Sequence, residues 1–392
     1  MSLRLVLCVM MIGVPALLSV AFSAEPGAGQ SIPASSALDI EVPKEMAAVG
    51  ANGLAIAVID GGKVVYVRAF GRRNEEGQAL REDTVMSAAS LTKPVFAYAV
   101  MQLVGEGRIS LDASIADYLE KPLPAYSTQR PYATWKDLDG DERWRQITPR
   151  ILLSHRSGLA NFQSLEADGR LHIHFDPGSR FAYSGDGINL LQFVLERGLG
   201  LNTNTELQQR VFERFGMSHT SMMWQESGAI NQADGYADSS WGSKRARPHI
   251  RRSHVAAASS MDTTIEDYAR FAAGFVRGEG LSPSNHQEMI SPQWPITTKT
   301  QFPTLQSELP TPQRIANLAA GLGVVVFEGP QGPGFYKGGH EDTVGNVWVC
   351  VTRQQRCVVL LSNDVRAEKA FPKLVGFVLG DAGVPWQWEY GK

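Results

Sequence analysis

The chain has little of what several function classes require. Lysine and arginine number 37 against 40 aspartate and glutamate, a net charge of −3. With no basic excess to meet a phosphate backbone, nucleic acid is excluded as the main partner. Past the N-terminus no apolar run is long enough to span a membrane. There is no internal repeat and no Gly-x-Ser-x-Gly elbow, which argues against an ordinary α/β-hydrolase. Cysteine is scarce, with Cys8 in the N-terminal apolar run and Cys350 and Cys357 near the other end. Hydrophobic residues at 43% and charged residues at 20% give an ordinary globular composition, neither disordered nor fibrous. At 392 residues the chain suits one large domain or two lobes.

The N-terminus reads as a secretory signal over residues 1–23. Arg4 supplies the positive region, Leu5 to Val20 the apolar run, and Ala21 and Ser23 a small-residue cleavage site. A retained anchor is the other reading, but the run is short for a full span. Cys8 lies too early in it for a lipid-attachment cysteine. The expectation is an exported protein, periplasmic or extracellular, with no stable membrane span after signal removal. Residues 24–44, rich in Ala, Ser, Gly and Pro, read as a poorly ordered leader.

Two apolar runs around Asp60-Gly61-Gly62 predict a β-hairpin. Two more, around a turn centred on Arg353 and Gln354, predict a second that sets Cys350 opposite Cys357. Such a pair oxidises in an exporting context, or stays as two buried thiols. Between these ends lie helix patterns: one from Ser90, a short one with Asp112 near its start, one opening at Thr148-Pro149, and amphipathic segments beginning near Ile188, Asn204 and Thr264. A last helix follows Lys369. Residues 124–147 are polar and turn-rich and read as a surface insertion. The basic run Lys244–His254 reads as a solvated loop, or as a docking patch for an anionic envelope polymer. A lone hairpin is marginal, so the two strand groups must share one sheet. The fold expected is α/β of the α+β type. An antiparallel sheet of N- and C-terminal strands is flanked by helices in a domain over 45–385, with an α/β lobe at 45–95 and 255–385 and a mostly helical lobe at 96–254.

Three short segments carry candidate chemistry. Ser90 and Lys93 are three apart at a helix start and share a face. Burial and the helix N-terminus both disfavour a charged ammonium there, lowering the lysine toward a useful base. The spacing alone also fits a helix cap and a surface lysine. Tyr183-Ser184-Gly185 precedes a helix, and a phenol near a lysine can shuttle a proton. Lys337-Gly338-Gly339-His340 precedes the last strands, where two glycines let a substrate backbone come close and a free N–H can join that of Ser90 as an oxyanion hole. His172 and His174 stand at strand-like spacing but without a ligand cluster, so no metal is expected.

In this order the segments resemble the penicillin-recognising serine hydrolases, the group of class C β-lactamases, D-alanyl-D-alanine carboxypeptidases and related esterases. Further landmarks are "ITPRILLSHRSGL", "PGSRFAYSGDGINLL" and "SSMDTTIEDYARF". The resemblance implies Ser90 as acylated nucleophile, Lys93 as its base or proton partner, and Tyr183 as activator of the serine and of the deacylating water. It implies Lys337, Gly339 and His340 as substrate-binding positions, with Lys337 on a substrate carboxylate and the His340 N–H in the oxyanion hole. No cofactor is implied. The substrate would be a small molecule or a peptidoglycan-derived one: a β-lactam, a D-alanyl peptide or a small ester. His155 occupies a structural landmark. The second motif usually ends in asparagine where this chain has Gly185, which shifts weight toward peptide or ester substrates. A second alignment would put His340 in the role given to Lys337. The rival reading is a silent or slowly turning-over penicillin-binding sensor of the same fold.

Overall fold

The computed structural model describes residues 31–237 and 247–391, so the expected signal segment lies outside the described residues. Among the described residues the chain forms ten strands and nine α-helices. The strands are β1 Gly53–Asp60, β2 Lys63–Gly71, β3 Met86–Ser87, β4 Asp262–Thr263, β5 Trp294–Pro295, β6 Ala319–Ala320, β7 Val325–Gly329, β8 Gly332–Glu341, β9 Val344–Val351 and β10 Arg356–Ser362. The helices are α1 Ser35–Val49, α2 Thr92–Gly105, α3 Pro149–Leu153, α4 Gly185–Gly198, α5 Thr203–Leu207, α6 Ile265–Val276, α7 Pro283–Met289, α8 Phe371–Leu379 and α9 Trp386–Tyr390.

The strand groups from the two ends do meet. One antiparallel sheet runs β2-β1-β10-β9-β8-β7-β6-β5. Alternation along each strand sorts its side chains onto two faces. Ala55, Ala57 and Ile59 of β1 join Trp348 and Cys350 of β9 in a core with α2 and α6. Leu54, Ile56 and Val58 join Val347 and Val349 in a second core with α1 and α8. The sheet is therefore covered on both faces, which is why its central strands read as continuous apolar runs. Both hairpins form as read: Asp60 pairs with Lys63, and Cys350 sits directly across from Cys357. That pair is a disulfide, its Cα atoms 4.1 Å apart.

Four expectations need correcting. The second half of the supposed leader is ordered, since residues 35–49 form α1 and bury Leu38, Val42 and Met46 against the sheet. Residues 124–147 are no surface insertion: Trp135, Leu138 and Trp144 are buried, and Trp135 meets Phe193 of α4 edge-on at 5.8 Å. Polar turn residues there hide a few large anchors that outweigh them. The expected helix near Asp112 is one 3₁₀ turn, Ile115–Asp117, capped by Ser114, while Asp112 itself pairs with Arg150. Within the described part of the basic run, Arg252 and His249 are not solvated. Arg252 pairs with Asp262 and Glu341, and His249 with Asp262.

Replacing Trp135 with alanine is expected to cost about 3–5 kcal/mol of folding stability in denaturant titration, the range for a large buried aromatic. A change within about 0.5 kcal/mol, as at a surface site, would contradict its role as a core anchor.

Candidate active site

The lead to Ser90 is held from several sides. Met86–Ser87 pairs with Asp262–Thr263, the Ala88 N–H donates to Met261 O, and the Asn346 amide donates to Ser87 O. Ala89 then takes φ +48°, a left-handed conformation costly for a residue with a Cβ. The Thr92 hydroxyl holds that turn by donating to Ala89 O at 2.6 Å. Ser90 emerges half-buried on a 3₁₀ turn leading into α2. It sits two residues before the α-helix proper, which Leu91 rather than Ser90 caps, with Pro94 tolerated in the first turn.

Lys93 is 1% exposed. Its Nζ donates to Ser90 Oγ at 3.0 Å and to Ala258 O at 2.7 Å. The Tyr183 hydroxyl donates to the same Ser90 Oγ at 2.9 Å. Lys93 and Lys337 each lie 4.9 Å from the centre of the Tyr183 ring. Lys93 and Tyr183 thus converge on one hydroxyl, with Lys337 against the Tyr183 ring.

Electrostatics follow from that packing. Burial lowers the Lys93 ammonium from 10.5; Tyr183 opposes the shift and Lys337 adds to it. Burial alone would raise the Tyr183 phenol. The Lys337 and Lys93 charges and the hydrogen bonding with Lys93 and Ser90 outweigh it and bring the phenol down to about 8. Burial thus eases loss of the Lys93 proton, and the Tyr183 phenolate comes within reach near pH 8, both in the direction that suits a general base.

The strand alternation separates Lys337 from His340. Phe335 belongs to the α2/α6 core and Tyr336 to the α1/α8 core, so Lys337 shares the face of α2 and His340 the opposite one. Accordingly the His340 ring turns away, with Nδ1 2.9 Å from Glu368 Oε1. It is Lys337 that faces Tyr183. At Gly339 an added Cβ would come within 2.7 Å of Ala88 O, so a side chain there would push β8 off the Ser90 turn. Because β7 pairs with β8 only as far as Tyr336, residues 337–341 keep one edge without a β7 partner.

Supports unseen in the sequence complete the site. The Asn189 amide accepts from the Ala258 N–H at 3.2 Å, fixing the peptide whose carbonyl holds Lys93. His155 Nδ1 accepts from the Ser184 N–H at 3.2 Å, and its ring packs 4.4 Å from that of Tyr183. Burial first, then Lys93 and Lys337, hold this imidazole neutral, well below 6.5, so it positions the tyrosine, as its structural landmark implied. Phe302 also stands on Tyr183, ring centres 5.6 Å apart. No nearby sequence signal marks Ala258 or Phe302, since their contacts are made entirely by the fold. At Gly185 a Cβ would meet the Phe162 ring at 2.5 Å. The aromatic fills the space that a side chain at position 185 would take. Asn161 Oδ1 accepts the Gly185 N–H at 2.9 Å.

His172 and His174 each pair with a carboxylate, Asp168 and Glu166, at 2.9 and 2.7 Å. No group of three metal-capable side chains forms among the described residues. No described helix is long and apolar enough to cross a membrane.

Comparisons agree with this architecture. The sequence model of the family described as Beta-lactamase matches residues 41–378. The chain is 34% identical over 148 residues to esterase EstB of Burkholderia gladioli, covering 38% of this chain and 32% of the esterase. It is 24% identical over 204 residues to a D-aminopeptidase of Brucella anthropi, covering 47% of this chain and 35% of that enzyme. The alignments thus span about a third of each of these two relatives. Among solved structures, an octameric penicillin-binding protein homologue from Pyrococcus abyssi superposes with TM-score 0.67 at 19% identity, over 87% of this chain and 76% of that one. A penicillin-binding protein from Bacillus halodurans gives 0.66 at 19% identity, over 85% and 98%. At that identity the likeness shows the fold.

Ultraviolet titration should find one tyrosinate ionising near pH 8, absent in Tyr183→Phe. Removing the Lys337 cation withdraws stabilisation from the phenolate, so Lys337→Ala should move that step to higher pH, by about one unit or more. An unmoved step would contradict the coupling.

Proposed function

The chain belongs to the β-lactamase family, and from that premise we propose that it is an exported serine hydrolase working through an acyl-enzyme. The convergence of Lys93 and Tyr183 on the Ser90 hydroxyl carries the reading. Ser90 Oγ attacks the carbonyl of an ester or amide while its proton passes to the Lys93–Tyr183 pair. The carbonyl π electrons move onto oxygen, and the N–H groups of Ser90 and His340 donate hydrogen bonds to the oxyanion so formed. Collapse of the tetrahedral intermediate expels the alcohol or amine, which takes up the proton. Water then repeats the sequence on the acyl-Ser90 ester, with Tyr183 accepting its proton, and frees the acid and Ser90. Lys337 keeps the phenol acidic and offers a charge to a substrate carboxylate.

Phe162 beside Gly185 favours esters and peptides over β-lactams. The amide usually present in that space is missing, and an aromatic ring occupies it. Activity of the named relatives as an esterase and a D-aminopeptidase supports the same choice. Export is supported by the N-terminal signal pattern and by the Cys350–Cys357 disulfide, a bond favoured outside the cytosol.

With a nitrophenyl ester, the wild type should turn over, and Ser90→Ala and Lys93→Ala should each lose about a thousandfold or more in kcat. Equal turnover by wild type and Ser90→Ala would remove Ser90 from the mechanism. Acylation by a fluorescent penicillin should be slow. Gly185→Asn should lower thermal stability because the new side chain strikes Phe162, and the double variant with Phe162→Ala should recover stability and be acylated faster than wild type. Rapid acylation of the wild type would contradict the substrate preference.

A further inference from the structure

A cavity of about 480 Å³ adjoins the active site at the end of β8, between the segment at Thr300–Phe302, the start of α8 and helix α9. Phe302 belongs to both, since its ring rests on Tyr183. Trp386 and Tyr390 form a second aromatic wall, their rings stacked at 6.0 Å and 4° from parallel. Two carboxylates, Glu368 and Glu389, face the same space.

These carboxylates differ in what they already hold. Glu368 is engaged by His340. Glu389 Oε2 is buried with no hydrogen-bond partner among the described residues, and so is the Tyr390 hydroxyl. Glu389 Oε1 lies hard against the β8 backbone, where a Cβ on Gly338 would come within 2.0 Å of it. Burial pushes this carboxyl up and Glu368 adds to the shift, while Lys337, the Tyr336 hydroxyl and His340 oppose it. Lys369, the lysine at the rim, already has an interaction partner. A buried carboxyl oxygen without a donor is costly. A cation entering the cavity would supply its counter-charge, and aromatic faces attract a cation independently of the carboxylate.

We propose that this cavity binds a protonated or quaternary amine on the substrate of Ser90, held by Glu389 and the faces of Trp386 and Tyr390. Its place in turnover rests on the serine hydrolase reading; its binding chemistry does not. The hydrolase would then prefer cationic esters or amides to neutral ones of equal shape.

Full-length Ser90→Ala protein, titrated calorimetrically with butyrylthiocholine and with its uncharged 3,3-dimethylbutyl isostere, tests the binding directly. The cationic ester should bind about tenfold more tightly. Glu389→Gln in that background should abolish the difference, and Trp386→Leu should reduce it. The neutral isostere controls for misfolding, because the readout is a ratio. Equal affinities, no binding of the cationic ester, or a preference that survives Glu389→Gln would overturn the proposal. If the preference holds in Ser90→Ala while the wild type hydrolyses neither ester, the hydrolase reading fails and the cation site stands. If the wild type hydrolyses both alike and the Ser90→Ala protein shows no preference, the cation site fails and the hydrolase reading stands.

Discussion

The interaction on which the site depends is the burial of Lys93. A lysine side chain 1% exposed cannot keep its charge at the usual strength, because removing an ammonium from water is expensive and the group gives up its proton more readily instead. Its Nζ donates to a serine hydroxyl and a peptide carbonyl. Neither carries a charge that would lock the ammonium on. The nearest opposing group is a phenol that is itself made acidic by two lysines. The fold thus holds an amine and a phenol, both shifted down by their surroundings, against one hydroxyl, an arrangement suited to moving a proton off Ser90 and back without a strong base in solution.

Much of the surrounding structure serves to keep that lysine in place. Asn189 on α4 fixes the Ala258 peptide, so the helix that carries the second motif also aims the carbonyl that holds Lys93. Thr92 braces the left-handed Ala89 and accepts the Met261 N–H, tying the nucleophile turn to the segment leading into α6. Asn346 joins Ser87 to β10 through its two ends. Ser90 is positioned by the sheet, α4 and α6 together, so a disturbance in any of them reaches the same hydroxyl.

How much of this was legible in the sequence depended on how far each signal reaches. The hairpins around Asp60 and Arg353 were readable because turn chemistry and alternation act over a few residues, and with them the Cys350–Cys357 register. Ser90, Lys93 and Tyr183 were readable as motifs, and the fold brings them within hydrogen-bonding distance. The pairing of N- and C-terminal strands followed from the marginal stability of a lone hairpin. Misreadings came where polarity hid a few decisive contacts. Trp135 and Trp144 anchor a segment that looks like surface, Arg252 and His249 reach buried Asp262 from a run that looks solvated, and α1 is ordered only by the sheet beneath it. Phe162 filling the space at Gly185 could not be read at all, since it depends on two loops meeting in space. The same holds for Glu389, a carboxylate near the C-terminus that becomes notable only when α9 lays it against Gly338.

The central claim is that Ser90 is made nucleophilic by a buried amine able to lose its proton. An uncharged fluorophosphonate that phosphonylates the serine, followed by intact mass across the pH range in wild type and in Lys93→Arg, measures this most directly. Arginine keeps the length and the positive charge but stays protonated throughout. The account predicts a wild-type rate that climbs as pH rises toward 8 and a Lys93→Arg rate about a hundredfold or more lower throughout. Equal rates in the two proteins would contradict it.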